Sequence, residues 1–510
     1  MDTIKNKILL LDALVKKVEK LKAEGKTVVQ SHGVFDLIHP GVIAHLNEAK
    51  KQGDVLVVTI IKDKDVRKGP GRPIFNETLR AENIVSLEQV DFVAIVDDEI
   101  PFECVKLLKP NVLAKGQAYK ERDKLIHQKI FEEEKEVYSE KCKIYETKGF
   151  SFSSSVIINN FLDMYSNETK EYLRNFKSKY AFDDIVNSLN NLKNLNVLLI
   201  GDGIIDEYHY CSTMGKSPKS QLIVNKYLYH EIFAGGVFAI ANHIAGICGK
   251  VHLISLLGGE DSREDFISNN LKNNITTNFF MREDAPSVIK KRYISNAYHN
   301  NKLFEVNFIN DTPIPDEIEQ QVIKNIKGII SNYDLVIVSD FGHGLITNNI
   351  IRTIERHAKK LAVNTQTNGA NAGYNLITKY VKTNFICLDD PEARLAVQDK
   401  HSNIEDVGVA LSRQLNTDCL IITVGSSGSI CITKDGVLNH TPAFATRVKD
   451  IIGAGDAYFA FAAPCYAIGL PIELVCFIGN AAGALAVQIV GNKKPVEKYE
   501  MLEFINTVLK

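Results

Sequence analysis

The stretch Asp450-Ile-Ile-Gly-Ala-Gly-Asp456 lies between residues 444–448, which have the pattern of a strand, and residues 457–463, which have the pattern of an apolar helix. Glycines at such a junction let successive backbone N–H groups turn toward one point at the helix N-terminus. That point would bind the charge that develops on a transferred phosphoryl group. Asp456 would project into the same place and accept the proton of an attacking hydroxyl. For Gly-Ala-Gly alone, a tight helix start without a catalytic role is an equally good interpretation.

The composition is that of a globular protein, with 45% hydrophobic and 24% charged residues, and the length of 510 residues predicts two or three domains. The formal net charge of -2 favours neither nucleic acid nor a membrane surface, so neither partner is expected. Nine dispersed cysteines without a Cys-x-x-Cys pair indicate reduced thiols and a cytoplasmic location. We expect no signal peptide and no membrane span.

Short apolar strands alternate with amphipathic helices in two blocks, which predicts two α/β domains with doubly wound parallel sheets. The first domain is expected at 1–160, a helical connector at 161–195 and a larger domain at 196–510. Segments at about 208–235 and 286–308 alternate like exposed antiparallel strands and predict a small β lid over a cleft. The expected parallel strands are 27–30, 55–61, 92–96 and 112–114 in the first block, and 197–200, 335–339, 361–363, 385–387 and 420–424 in the second.

Several turns of the second block come at strand ends, where α/β proteins bind ligands. Glycines there would let a sugar or phosphates approach the backbone, and a carboxylate would be able to organise water around Mg²⁺. Each is open to a plainer interpretation as a turn, a cap or a solvated face. They are Asp202 and Asp206 after the first strand, Gly235-Gly236 before a helix that carries Asn242, Glu392 after the strand near 385–388, and Thr423-Val-Gly-Ser-Ser-Gly428.

In this order, together with Leu257-Gly-Gly-Glu-Asp261 and Ser339-Asp-Phe-Gly-His-Gly344, these motifs resemble the ribokinase-like (PfkB) carbohydrate kinases over 196–495. The resemblance implies ATP-dependent phosphorylation of a sugar with Mg²⁺, and a lid that is often also the contact of a homodimer. It implies that Asp456 is the catalytic base, with an anion hole at Gly453, Ala454 and Gly455. The remaining implied roles are sugar binding by Asp202, Asp206, Gly235, Gly236 and Asn242, ATP binding by Thr423, Gly425, Gly428 and Asn480, and a water-mediated Mg²⁺ contact by Glu392.

Two stretches depart from the family pattern. The family's Asn-x-x-Glu is Asp389-Asp-Pro-Glu392 here, so that Glu392 carries over and the role of Asp389 stays open. Asn364-Thr-Gln-Thr-Asn368 stands where relatives usually have an Asp-Pro-Lys-like segment. The phosphate or sugar contacts of that segment therefore also stay open.

In the first block, Gly33-Val-Phe-Asp-Leu-Ile-His39-Pro-Gly41 follows a strand and precedes a helix, where His39 would bind triphosphate oxygens. A lone histidine at a turn is usually structural, but basic residues and serines accompany this one. The set resembles the cytidylyltransferase-like nucleotidyltransferases over about 25–160, which implies ATP or CTP as a substrate and a catalytic His39. The implied nucleotide-binding residues are Gly33, Phe35, Asp36, His39, Lys68, Arg72, Lys115, Ser153, Ser154 and Ser155, with Arg80 on the next helix as a further basic residue.

The second histidine of this family's His-x-Gly-His motif is absent, because the chain has His39-Pro-Gly-Val42. Valine cannot donate to a phosphate, and the loss of one such donor typically costs about two to three powers of ten in rate. His32, expected on the same turn as the phosphates, or His45, one helical turn after Val42, would be the candidates to compensate. A weakened or inactive nucleotidyltransferase is an equally good interpretation.

The two blocks together resemble the bifunctional heptose-phosphate kinase/heptose-1-phosphate adenylyltransferases, with the halves in reverse order. This implies phosphorylation of a sugar or sugar phosphate, and coupling of a sugar 1-phosphate to a nucleoside triphosphate, to give an NDP-sugar for lipopolysaccharide. The alternatives are a kinase with a degenerate first domain, and a sensor, which Asp456 disfavours. Basic residues on or beside the lid would clamp a substrate phosphate or be solvated charges; they are Lys216, Lys219, Lys290, Lys291 and Arg292.

Overall fold

The computed structural model describes residues 6–66, 68–69, 71–97, 102–116, 142–147, 154–161, 164–295, 301–415, 417–433 and 435–510. The chain divides into two compact units, Met1–Val186 with Tyr499–Lys510, and Asn187–Lys498. Tyr499–Lys510 therefore packs with the first unit, although the sequence pattern groups these residues with the second domain. Within the described residues, no helix combines the length and the apolar character needed to cross a bilayer.

The first unit is built on a five-stranded sheet in which every pair of neighbours is parallel, in the order β3-β2-β1-β4-β5. Its strands are β1 (Val28–Gly33), β2 (Val55–Ile61), β3 (Phe92–Val96), β4 (Val112–Lys115) and β5 (Lys143–Glu146). The described helices are α1 (Leu11–Ala23), α2 (Pro40–Lys50), α3 (Glu77–Val85), α4 (Phe102–Leu108), α5 (Ser154–Phe161) and α6 (Asn167–Lys179). The next helix, α7 (Phe182–Asn191), includes the boundary between the two units.

Alternate residues of this sheet are buried on its two faces. Val57 of β2 packs with Leu14 of α1 in one apolar cluster, whereas Val58 packs with Leu46 of α2 in another. All seven residues of β2 are buried, as expected for a parallel strand that is covered by helices on both faces. This arrangement confirms the predicted doubly wound α/β fold.

The second unit contains a nine-stranded sheet in the order β10-β9-β6-β13-β14-β15-β16-β17-β18, parallel except at the β16-β17-β18 edge. Its strands are β6 (Asn196–Gly201), β9 (Lys250–Gly258), β10 (Ile275–Arg282), β13 (Leu335–Asp340), β14 (Leu361–Thr365), β15 (Phe385–Asp389), β16 (Cys419–Thr423), β17 (Ser429–Thr433) and β18 (Gly436–Thr441). The helices are α8 (Val237–Ala245), α9 (Glu264–Asn270), α10 (Asp316–Ile329), α11 (Asn348–His357), α12 (Asp390–Val397), α13 (Ile404–Leu415), α14 (Ala454–Ala467) and α15 (Ile472–Ala486); α16 (Lys498–Val508) follows.

The segments predicted as the lid form a separate four-stranded sheet in the order β12-β11-β7-β8. Its strands are β7 (Gly203–Lys216), β8 (Ile223–Gly236), β11 (Ile289–Ser295) and β12 (Asn301–Phe308). β7 and β8 are antiparallel, as are β11 and β12, but β11 runs parallel to β7. The prediction of antiparallel pairing is therefore wrong for the central pair.

The strand expected at 444–448 is absent, and this stretch has no regular structure. The chain leaves the sheet after β18, which is the edge strand, and no further strand pairs with it among the described residues. Phe444 is buried and its ring lies 5.2 Å from that of Phe477. The apolar pattern of this stretch thus reflects core packing rather than strand pairing.

Candidate functional site

The turn before α14 leaves room for an anion at the helix N-terminus. Gly453 has a φ of 83°, and a Cβ at this position would overlap Oδ1 of Asn492, so glycine is required. No atom lies within 4 Å of a Cβ built at Gly455. The N–H of Ala454 donates to the carbonyl of Ile451 at 3.3 Å and is therefore not free for the anion hole that the resemblance implies. The N–H groups of Gly455 and Asp456, which have no acceptor within the helix, would be the donors to an anion.

Asp456 is buried, with 8% of its surface exposed. Burial raises the pKa of its carboxyl to about 6; a hydrogen bond from Gln366 opposes this rise, Asp206 adds to it and Lys290 opposes it. A carboxylate whose pKa lies near neutrality is well suited to accept a proton in catalysis. The position and the electrostatics of Asp456 therefore agree with the role of a general base.

Gln366 contacts Asp456, although the sequence predicts no role for it. It follows β14, its backbone N–H donates to Asp340 O at 2.8 Å, and its Nε2 donates to Oδ1 of Asp456. It belongs to the 364–368 segment whose contacts the sequence left open. Gln366 could have been predicted as a site residue because it follows a parallel strand, and ligand sites in α/β sheets lie at the ends of such strands.

Asp206 lies on the lid strand β7 and faces the same region. Its carboxylate pairs with Arg292 and accepts a hydrogen bond from Nδ2 of Asn492 at 3.3 Å. A Cβ at Gly235 would overlap Oδ2 of Asp206. Gly236 has a φ of 56°, and a Cβ there would lie 2.7 Å from Asp202 O. The paired glycines thus let β8 approach the two carboxylate-bearing residues closely.

Asp202 holds a loop in addition to lying near the site. Its Oδ2 accepts the N–H groups of Phe341 at 3.0 Å and His343 at 3.2 Å. Burial, and then the charge of Asp340, raise the pKa of Asp202 to about 6. The sugar contact that the resemblance implies for Asp202 would therefore be made by Oδ1, its other carboxylate oxygen.

His343 of the Ser339–Gly344 motif is 2% exposed, and neither ring nitrogen has a hydrogen-bond partner among the described residues. Burial, together with Lys290, lowers its pKa to about 3, so the imidazole is neutral. It lines a recess of about 310 Å³ with Asp202, Arg282 and Ser287. No role was inferred for it from the sequence.

Asn242, for which the resemblance implies a sugar contact, also holds a neighbouring segment. Its Nδ2 donates to Asn270 O at 2.8 Å, and its Oδ1 accepts the N–H of Lys272 at 3.0 Å. Both ends of the amide therefore hold the segment after α9. A sugar contact would use the second N–H of Nδ2 or the second lone pair of Oδ1.

The residues implied for ATP binding are divided between an open turn and the interior. A Cβ at Gly425 would have no atom within 4 Å, whereas one at Gly428 would overlap Thr441 O. Thr423 donates to Leu388 O at 3.3 Å. Asn480 is buried and donates to Ser429 Oγ at 2.6 Å and to Cys476 O at 3.0 Å. Gly425 thus leaves open space, and the other three residues stabilise the strands around it.

Glu392, for which the resemblance implies a water-mediated Mg²⁺ contact, is held by backbone donors. It forms a capping box with Asp389 at the start of α12, the arrangement that Asp-x-x-Glu predicts. Its Oε2 accepts the N–H of Asp389 at 2.9 Å and its Oε1 that of Thr367 at 3.0 Å. Burial raises its pKa. The described ranges also contain no group of three or more His, Cys, Asp or Glu side chains that could hold a metal.

In the first unit, His39 lies immediately before α2 and is largely buried. Its Nδ1 has no hydrogen-bond partner in the part of the chain that the structure describes. Burial, and to a lesser extent Lys68, lower its pKa. Asp36 accepts the N–H groups of Ile74 and Phe75 and thereby brings the 72–75 segment to the same place.

Most of the other implied nucleotide residues surround this turn. Phe35 has a φ of 51°, a backbone conformation that is uncommon for residues other than glycine. Its ring lies beside Gly33. Lys115 ends β4, and Ser154 and Ser155 begin α5, where Ser154 donates to Leu37 O at 3.4 Å. Ser153 lies outside the described residues. Arg80 is fully buried. It donates hydrogen bonds to the carbonyl oxygens of Val34, Ile61 and Phe75 and forms an ion pair with Asp63, so it is structural.

Neither candidate histidine takes the place of the missing second histidine in the motif. His45 contacts Ser31 Oγ and Thr147 Oγ1, each at 2.8 Å, and burial lowers its pKa to about 4. His32 lies within β1, with Nδ1 2.9 Å from Thr59 Oγ1, and not on the turn as expected. The side chains of both histidines therefore belong to the hydrogen bonding around the sheet.

Two family models match the chain. The model of the pfkB family carbohydrate kinases matches 196–498, and that of the cytidylyltransferase-like proteins matches 31–161. Among curated relatives, the bifunctional protein HldE of Bradyrhizobium diazoefficiens is 26% identical over 302 residues, which cover 58% of this chain and 60% of the relative. The HldE protein of Aliarcobacter butzleri is 43% identical over 113 residues, 21% of this chain and 24% of the relative.

The chain thus spans about 60% of the length of curated relatives such as the Bradyrhizobium diazoefficiens protein. Among solved structures, phosphofructokinase-2 of Escherichia coli in complex with fructose-6-phosphate has a TM-score of 0.50 and 12% sequence identity. The match covers 62% of this chain and all of that one. It supports the ribokinase-like fold of the second unit and no more.

Proposed function

The chain belongs to the pfkB family of carbohydrate kinases, and we propose that its second unit transfers the γ-phosphoryl group of ATP, supplied with Mg²⁺, to a hydroxyl of a sugar phosphate. We further propose that the cytidylyltransferase-like first unit couples a sugar 1-phosphate to ATP or CTP, with release of pyrophosphate. The product would be an NDP-sugar for lipopolysaccharide or another surface polysaccharide. The observation that carries the kinase proposal is the buried Asp456 beside the open N-terminus of α14.

The kinase step follows from the chemistry of these groups. Asp456 accepts the proton of the sugar hydroxyl, whose oxygen forms a bond to the γ-phosphorus as the bond to ADP breaks. The N–H groups of Gly455 and Asp456 stabilise the charge on the transferred group. Asp206, held by Arg292 and Asn492, would bind other hydroxyls of the sugar.

The environment of Lys290 supports the proposal that the substrate already carries a phosphate. Among the basic lid residues, Arg292 pairs with Asp206 and Glu305, and Lys291 pairs with Glu207. Lys290 is 8% exposed and has no ion pair or hydrogen bond within the described residues. Burial lowers its pKa, and a substrate phosphate would supply the compensating charge.

Replacing Lys290 with methionine is expected to raise the KM for the sugar phosphate at least about tenfold, because a desolvated charge-assisted contact is lost. The assay belongs at pH 8, where Asp456 stays ionised with or without the nearby ammonium group. Lys291→Met is the matched control, since Lys291 is paired with Glu207, and its KM should change little. An unchanged KM in Lys290→Met would refute the phosphate-binding role.

The two activities are tested by incubating the protein with ATP, CTP and Mg²⁺ against sugar phosphates and sugar 1-phosphates. ADP and pyrophosphate are followed separately. We expect ADP with a sugar phosphate, and pyrophosphate that depends on a sugar 1-phosphate. No ADP with any phosphorylated or free sugar would contradict the kinase proposal.

A kinase with a degenerate first unit is the second candidate. It is favoured by Val42 at the position of the second histidine, and by the engagement of His45 with Ser31 and Thr147. ADP formation without any pyrophosphate would support this candidate over the bifunctional enzyme.

The lid supports a homodimer. Large apolar side chains are exposed on β8 and β12, the two edge strands of the lid sheet, and clustered exposed apolar side chains are typical of interaction surfaces. They include Ile223, Tyr227, Leu228, Tyr229, Leu303, Phe304, Val306 and Phe308. In a homodimer, the same surface of a second copy would cover these strands and bury their apolar side chains.

A further inference from the structure

Helix α16 packs against the loop that carries two of the implied triphosphate-binding residues, within the first unit. Phe504 of α16 is 1% exposed. A Cβ at Gly69 would overlap its ring, and Gly69 has a φ of 88°. The backbone at Gly69 thus leaves room for an aromatic side chain from a segment more than 400 positions later in the sequence.

Asn159 connects this loop to α16. Its Nδ2 donates to Thr507 O at 2.6 Å, and its Oδ1 accepts a hydrogen bond from Nη2 of Arg72 at 3.1 Å. Nη1 of Arg72 lies 3.6 Å from Oδ2 of Asp36. The guanidinium is therefore held on one side by the turn before α2 and on the other by an amide that is anchored to α16.

Lys68 lies in the same environment. Burial lowers its pKa, the carboxylate of Glu503 on α16 opposes this effect, and Lys510 and Arg72 add to it. Lys68 in turn lowers the pKa of His39. The three groups assigned to the triphosphate thus form one electrostatic set, to which α16 contributes directly.

We infer that α16 is a working part of the nucleotide site, and that Asn159 and Phe504 are positioning residues that fix Arg72 and Lys68 for a triphosphate. The inference rests on the proposed nucleotidyl transfer. Preorganised cations bind a polyanion more strongly than mobile ones, because their side chains lose less conformational entropy when the polyanion binds. The match to the cytidylyltransferase-like family model covers 31–161 and therefore does not include α16.

Asn159→Ala tests the inference through a split between KM and kcat. The KM for the nucleoside triphosphate in pyrophosphate formation should rise about tenfold or more, the usual cost of a hydrogen bond to a charged group, while kcat changes less than about threefold. Asn159→Asp keeps an acceptor for Arg72 but loses the donor to Thr507 O, so the KM should stay raised if the link to α16 positions Arg72. An unchanged KM in Asn159→Ala would overturn the inference.

Amide hydrogen exchange provides a readout that needs no turnover. In Asn159→Ala, residues 68–75 should exchange faster than in the parent protein, while β1 and β2 keep their protection. Asn190→Ala is the matched control, since Asn190 accepts a hydrogen bond from Lys498 at the start of the same helix and forms no hydrogen bond with the described residues of 68–72. If the parent forms no pyrophosphate but the loop still loosens, the proposed activity fails and the positioning role stands. If the loop exchanges at the parent's rate, the positioning role fails.

Discussion

Asp456→Asn is expected to lower the kcat of ADP formation by about two to four powers of ten, the contribution usual for general acid–base catalysis. Asparagine keeps the shape of the side chain but cannot accept the proton of the sugar hydroxyl. ATP affinity should be nearly unchanged, because Asp456 faces the acceptor rather than the nucleotide in the proposed reaction. Initial-rate measurements and calorimetric titration with an ATP analogue check the two parts.

The pH profile is a second test of the same assignment. Because burial raises the pKa of Asp456 to about 6, kcat should rise with pH through about 6 and level off above it. Gln366→Leu removes a hydrogen bond that favours the ionised form, so the midpoint should move to higher pH while the rate well above it recovers. Substantial turnover by Asp456→Asn, or a midpoint that Gln366→Leu leaves in place, would show that another group is the base.

His39→Asn is expected to lower the rate of pyrophosphate formation by about two to three powers of ten, the usual cost of one donor to transition-state charge. ADP formation by the second unit should not change. The reason is the location of His39 before α2, with a buried Nδ1 that has no partner among the described residues. Parallel assays of both products on one preparation give the measurement and its internal control.

Val42→His is the complementary variant, because it restores the second histidine of the family motif. Val42 is partly buried against the apolar cluster that contains Leu46, so the thermal stability of the variant is compared with that of the parent. If the missing donor limits the reaction, this variant should form pyrophosphate faster than the parent. Equal pyrophosphate rates for the parent and His39→Asn would mean that His39 is not catalytic.

Much of the fold was predictable because it depends on local signals. The buried parallel strands are continuous apolar runs, and β2 and β3 lie where the pattern places them. The capping box of Asp389 and Glu392 also follows from a local signal, whereas the water-mediated Mg²⁺ contact of Glu392 stays a prediction. The apolar run at 444–448 was misassigned because burial against Phe477 and pairing in a sheet produce the same sequence pattern.

The sequence by itself determined the order of the two α/β units and the Gly-Ala-Gly-Asp turn at the start of α14. Both follow from interactions between neighbours in the chain: apolar periodicity for the strands, and a positive φ that needs glycine at Gly453. These constraints act on a few consecutive residues, so they are legible without the fold.

Tertiary structure alone decided which distant side chains meet. It placed Gln366 on Asp456, turned the amide of Asn242 to the segment after α9, and joined Arg72 through Asn159 to Thr507. Such contacts depend on how whole helices and sheets pack, because residues far apart in sequence share no local periodicity. The hydrogen bond of a buried amide or carboxylate goes to whichever group the packing brings within reach.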